Sequence, residues 1–141
     1  SVTAAGGAYP MCWCAAGFPC EFGDRFRTQL GTLYLIGPKG DQSKICVSGR
    51  VCTILHFRGY GPEDGDKIIV STSCQVGQSE ILPAGEYEGT DGGTSFLGVE
   101  RVTWEGDRYR MCWCAAGEPC VQASNFQVDA GTLVVVGPKH D

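Results

Sequence analysis

The chain has little of what enzymes and nucleic-acid binders need. Its 141 residues contain two histidines, His56 and His140, and neither a Gly-x-Ser-x-Gly elbow nor a glycine-rich phosphate loop. No nucleophile, base and orienting group can be assembled from that inventory, so no catalytic role and no cofactor are expected. Lysine and arginine total 11 against 16 acidic residues, for a net charge of −5, and they are scattered. Without a basic stripe to follow phosphates, nucleic acid is not an expected partner. The longest apolar runs, Leu33-Tyr34-Leu35-Ile36 and Leu133-Val134-Val135-Val136, fall far short of the roughly 20 residues that span a bilayer as a helix. Asparagine occurs once, at Asn125, outside any sequon, which leaves N-linked glycan without an acceptor. The first residue is Ser1 and no signal-like segment follows it, so either a signal peptide has been removed or the sequence is an excerpt.

Helical periodicity is also missing, whereas short β-branched and aromatic stretches are separated by some of the 21 glycines. The chain therefore reads as all-β. Residues 51–57 and 67–74 are predicted strands, and residues 75–95 a long surface connection or one short edge strand. Residues 96–104 and 108–115 form a predicted hairpin, and residues 131–136 the closing strand.

The most informative feature is a repeat. Residues 1–41 match residues 101–141 in register: Tyr9, Met11, Cys12, Trp13, Cys14, Ala15, Ala16, Gly17, Pro19 and Cys20 return as Tyr109, Met111, Cys112, Trp113, Cys114, Ala115, Ala116, Gly117, Pro119 and Cys120. Phe26, Gly31, Thr32, Leu33, Gly37, Pro38 and Lys39 return in the same way. A period of 100 residues is the size of one β-sandwich. The predicted organisation is one complete immunoglobulin-like β-sandwich at 42–141, preceded at 1–41 by the C-terminal half, about three strands, of another. Three strands alone expose an apolar face and an unpaired edge, which must be covered by further repeats or by another copy.

Nine cysteines point to a disulfide framework in an oxidising compartment, hence to an extracellular or cell-surface protein. Residues 42–141 hold Cys46, Cys52, Cys74, Cys112, Cys114 and Cys120, an even set with 15 connectivities open to it. Short loops suit local bridges between Cys46 and Cys52 and between Cys114 and Cys120, leaving Cys74 for Cys112, although spacing does not fix the connectivity. The half-repeat holds Cys12, Cys14 and Cys20, and an odd set leaves at least one without a partner inside it. Strand alternation puts Tyr109, Met111 and Trp113 on one face, the predicted core, with Tyr9, Met11 and Trp13 as their counterparts. Arg110, Cys112 and Cys114 then take the outer face, where disulfides would act as lateral staples.

Other site chemistry is weaker. Cys-x-Cys-x5-Cys offers soft metal ligands, but zinc sites use paired knuckles in reduced compartments, so disulfides are the better reading. Glu63, Asp64 and Asp66 could hold calcium, yet without EF-hand spacing they read more simply as an acidic turn. Tyr60, Tyr87 and Phe22 could stack on sugars, a role for which the 75–95 segment would supply the loop. The link at residues 37–44 is short and contains Pro38, which restricts the angle between successive repeats.

The string Tyr-x-Met-Cys-Trp-Cys-Ala-Ala-Gly-x-Pro-Cys, followed by Phe and Gly-Thr-Leu-x-x-x-Gly-Pro, resembles a tandem Cys-Trp-Cys-Ala module of large secreted or surface proteins of protists and algae. Gly65, Asp66, Lys67, Ile68 and Cys74 resemble its middle strand, whereas the insert from Cys46 to Cys52 departs from its pattern. The resemblance implies an extracellular, repetitive, structural or adhesive role without catalysis. The expected function is thus a structural subunit of an extracellular fibre, filament or stalk whose partners are other copies of itself. An adhesion or carbohydrate-binding module is the alternative.

Overall fold

The computed structural model describes residues 2–75, 82–90 and 93–140, with the backbone alone at 82–90 and 93–100. The described chain is all-β, interrupted only by two single-turn 3-10 segments, Gly23–Arg25 and Ala123–Asn125. The N-terminal part supplies β1 (Gly7–Trp13), β2 (Thr28–Leu35) and the short β3 (Gly37–Pro38). A front set follows: β4 (Ser43–Val47), β5 (Val51–Ile54), β6 (Gly59–Tyr60), β7 (Lys67–Ser71), β8 (Leu82–Thr90) and β9 (Gly93–Arg101). A back hairpin, β10 (Asp107–Cys114) with β11 (Val128–Val136), closes the chain.

Seven strands hydrogen-bond in one continuous order, β4-β11-β10-β7-β8-β9-β5, antiparallel throughout except for the β11–β4 pair. The two outer strands of this sheet, β4 and β5, are consecutive in sequence. A tight turn joins them, with the Arg50 N–H donating to the Val47 carbonyl at 3.2 Å, and the Cys46–Cys52 disulfide clasps them. Bringing the two ends together rolls the sheet around its apolar face. That face holds Ile54, Ile68, Val70, Met111, Leu133 and Val135, all buried. Each large apolar side chain buried in this way stabilises the fold by about 1.5–3 kcal/mol.

Two details differ from the sequence expectation. Residues 82–90 form a nine-residue strand paired on both sides, by β7 and by β9, not a surface connection. Pro83, Gly85 and Gly89 hide its pattern, and the pairing with β7 is shifted between Ile68 and Val70. The rest of the 75–95 prediction, at residues 76–81 and 91–92, lies outside the described residues. Residues 96–115 are not a hairpin, because β9 pairs with β8 and β5 while β10 pairs with β11 and β7. Val102 between them is fully buried and exchanges backbone hydrogen bonds with the β4–β5 turn, donating to Arg50 and accepting from Gly49. Residues 1–41 hold the two long strands β1 and β2 and the short β3. The matching segment starts at Val2, the counterpart of Val102, and β9 has already ended at Arg101. β1 and β2 therefore form a separate two-stranded sheet.

Candidate functional site

The Cys-Trp-Cys strand β10 lies in the interior of the sheet, and its alternation sorts side chains between two clusters. Tyr109, Met111 and Trp113 enter the main core. Cys112 and Cys114 face the other way, but not to solvent. They join Ile69 and Phe126 in a second buried cluster that also packs Cys74, Cys120 and Ala123. The outer-face expectation is corrected here: the segment from Ala115 to Gln127 folds back and lays Phe126 over the cysteines. Its 3-10 turn is held by Asn125, whose side-chain oxygen accepts the Gln122 N–H at 3.0 Å. Arg108 on that face is exposed and Arg110 stays partly open. The Arg110 guanidinium grips both carboxylate oxygens of Asp129 at 2.6 and 3.0 Å and donates to the Thr132 hydroxyl at 2.7 Å.

The structure bonds Cys46 to Cys52, Cys74 to Cys112, Cys114 to Cys120 and Cys14 to Cys20. Cys12 is an exposed free thiol. The acidic turn at residues 63–66 has a structural task that its sequence did not reveal. Asp66 is buried, with one carboxylate oxygen accepting the Glu63 N–H at 3.0 Å and the other the Ala116 N–H at 2.8 Å. This side chain ties the front set to the loop closed by Cys114 and Cys120. Among the described residues no cluster of three or more metal-ligating side chains forms.

The half-repeat copies the complete one closely in its backbone. Tyr9 donates to the Ala5 carbonyl at 2.7 Å as Tyr109 does to Glu105 at 3.1 Å. The Gly6 N–H donates to Pro38, and the Gly106 N–H to Pro138, both at 2.8 Å. The environment differs sharply. Tyr9, Met11 and Trp13 are 37%, 40% and 49% exposed, whereas Tyr109, Met111 and Trp113 are 8%, 0% and 6% exposed. The expectation that all six are core residues is therefore corrected for the first three. Among the described residues β1 has no counterpart of β7 beside it, and β2 has none of β4.

The half-repeat is nevertheless fixed to the complete repeat. β3 pairs with β6, Gly37 opposite Tyr60 and Pro38 opposite Gly59. Tyr34 stacks on Tyr60 with ring centroids 5.8 Å apart, which accounts for one of the aromatics considered for sugar stacking. Phe22 is exposed, and the side chain of Tyr87 falls outside the described residues. The linker itself is clamped by Gln42. Its buried amide donates to the carbonyls of Lys39 at 2.8 Å and Arg58 at 2.9 Å, and accepts the Arg58 N–H at 2.9 Å. Nearby, the Lys44 ammonium donates to the His56 carbonyl at 2.8 Å; burial first, and then Arg58, lowers its pKa. Where the two repeats meet, a cavity of about 480 Å³ opens between Val2, Thr3 and Ile36 on one side and Trp113, Asn125 and Gln127 on the other. The buried indole N–H of Trp113 finds no acceptor among the described residues.

These features define a disulfide-stapled, cysteine-rich β repeat. The chain is similar to a cysteine-repeat protein: it is 24% identical over 178 aligned positions to cysteine repeat modular protein B of Toxoplasma gondii, with 98% of this chain and 2% of the relative aligned. The chain thus spans about one-fiftieth of the length of that relative. No family model and no solved structure matches it. Among the described residues no helix is long and apolar enough to cross a membrane.

Proposed function

We propose that the chain is a structural subunit of an extracellular fibre, filament or stalk, in which immunoglobulin-like repeats stapled by disulfides are joined head to tail. Each half-repeat is completed by a neighbouring copy of the repeat, and catalysis plays no part. The observation that carries this reading is the junction. β3 pairs with β6, Gln42 ties Lys39 of the linker to Arg58 and Tyr34 stacks on Tyr60, so one repeat meets the next through hydrogen bonds instead of a free tether. An interface that joins different surfaces and does not close into a ring propagates as a filament. Four disulfides support an oxidising, extracellular setting. Limited proteolysis tests the stiffness of the link. With its N–H held by Arg58, Lys39 should resist trypsin until the protein unfolds; cutting there at the rate of an unfolded peptide would contradict the proposal.

The second reading, an adhesion or carbohydrate-binding module, is favoured by the junction cavity, whose indole and side-chain amides from Trp113, Asn125 and Gln127 suit a saccharide ring and its hydroxyls. Saturable signals on a glycan array, lost on Gln127→Ala, are the result expected from that reading. A blank array would remove it.

A further inference from the structure

We propose that the open edge of β1 is the docking site for a β7-type strand from a repeat front half, sealed by a disulfide from Cys12 to that strand's counterpart of Cys74. The proposal rests on the completed half-repeat reading above and names what completes it. The same interface is closed once within this chain. There β10 pairs antiparallel with β7, Met111 opposite Val70, Cys112 opposite Ile69 and Trp113 opposite Ile68, and Cys112 within that stretch is bonded to Cys74, three residues beyond Ser71. Moved onto β1, that register sets Met11, Cys12 and Trp13 against the same three positions of the incoming strand. Pro10 lacks the N–H that Arg110 has, so pairing begins at Met11.

Each feature of β1 that is unusual in isolation is explained by this occupant. Tyr9, Met11 and Trp13 are exposed here, and their counterparts are buried beneath β7 and the rest of the front set. Cys12 is an exposed thiol, whereas Cys112 is bonded and inaccessible. Phe26 is 37% exposed and Phe126 is 1% exposed, as expected if Ile69 and Cys74 form the missing side of its pocket.

Stoichiometry narrows the donor. The described residues hold two back hairpins, β1–β2 and β10–β11, but one front set, and that set already closes β10–β11. Copies of these residues alone would leave one hairpin of each copy uncovered. The donor is therefore a copy of the repeat whose front half is not closed on a hairpin of its own. The bond itself forms by thiol–disulfide exchange: the Cys12 thiolate attacks the donor cysteine held as a mixed disulfide with glutathione, one S–S bond replaces another, and glutathione leaves as the thiolate and takes up a proton.

The test uses the 141-residue protein and a synthetic peptide of residues 65–75, with its cysteine capped by glutathione. The expected result is a Cys12–Cys74 link found by non-reducing peptide mapping, formed about tenfold or more faster than with a shuffled peptide, because docking raises the local concentration of the reacting sulfur. Met11→Asp, at a position already exposed, should keep the fold and the thiol but abolish the acceleration. Equal rates with ordered and shuffled peptides would overturn the proposal and leave Cys12 as merely an accessible thiol. A Cys74→Ser peptide separates the two levels of the argument by shielding Trp13 from a fluorescence quencher. If it shields Trp13 while the capped peptide fails to link, the covalent seal is wrong and the completion reading stands. If neither peptide docks, both are wrong.

Discussion

Cys112 is bonded to Cys74 and fully buried, while Cys12, its counterpart one hundred residues earlier, is exposed and unbonded. The two sit in the same motif on equivalent strands, β1 and β10; what separates them is the presence of β7. One thiol should therefore react with a maleimide in the folded 141-residue protein, at Cys12, and the other eight cysteines only after reduction. Labelling at Cys74 or Cys112 without reductant would contradict the pairing.

The disulfides should differ in weight. Cys74–Cys112 spans 38 residues in sequence and Cys114–Cys120 spans 6. From chain entropy, replacing the first pair with alanines should cost about 4 kcal/mol and the second about 2 kcal/mol. Guanidinium unfolding of the two double variants checks the order. A larger loss from the short loop would show that strain or packing, not loop closure, sets their contributions.

Asp66 binds two backbone N–H groups from different parts of the chain while almost wholly buried. Asp66→Ala leaves both without their acceptor and should destabilise the complete repeat by about 1–3 kcal/mol. Asp66→Asn, which keeps one oxygen, should fall between it and wild type in a urea melt. A neutral Asp66→Ala would remove its role as the tie between the front set and the Cys114–Cys120 loop.

Glycine is retained at the equivalent positions Gly31 and Gly131, but its necessity differs. Both have positive φ, at 145° and 110°. A Cβ on Gly131 would stand 2.0 Å from the Gln42 carbonyl oxygen, whereas one on Gly31 meets only the Met11 side chain at 3.7 Å. Gly131→Ala should therefore cost about 1–3 kcal/mol more than Gly31→Ala, the usual range for overpacking. Equal costs would mean that backbone strain alone decides both.

The Tyr109 phenol has its pKa raised, first by burial and then by the carboxylates of Glu105 and Asp107. Between about pH 10, where an unperturbed tyrosine ionises, and the higher folded-state value, the unfolded chain has released a proton that the folded chain keeps. The unfolded state binds fewer protons in that window, so stability falls as pH rises through it, and this group has no such effect at lower pH. Tyr109→Phe should flatten that part of the alkaline unfolding profile, and an unchanged slope would count against the assignment.

Much of this was legible in the residues. Glycine punctuation and the lack of a helical period indicated an all-β chain, and the match of residues 1–41 to 101–141 placed equivalent motifs on β1–β2 and β10–β11. The alternation Tyr109-x-Met111-x-Trp113 marked the face that enters the main core. Strand adjacency was not legible, because β4, β10 and β11 are brought together by contacts distant in sequence, and Pro83 and the glycines of β8 break its alternation. The second buried cluster also escaped notice, since period two separates faces without saying what covers each. Gln42 and Asp66 look like ordinary polar residues in a linker and a turn. Only the folded chain places their side chains against backbone groups from elsewhere.

Electron microscopy of the native assembly tests the central claim most directly. A head-to-tail structural repeat predicts long unbranched filaments with a regular axial unit, which shorten or fall apart under reducing conditions. Monodisperse single particles, unchanged by reductant, would contradict it.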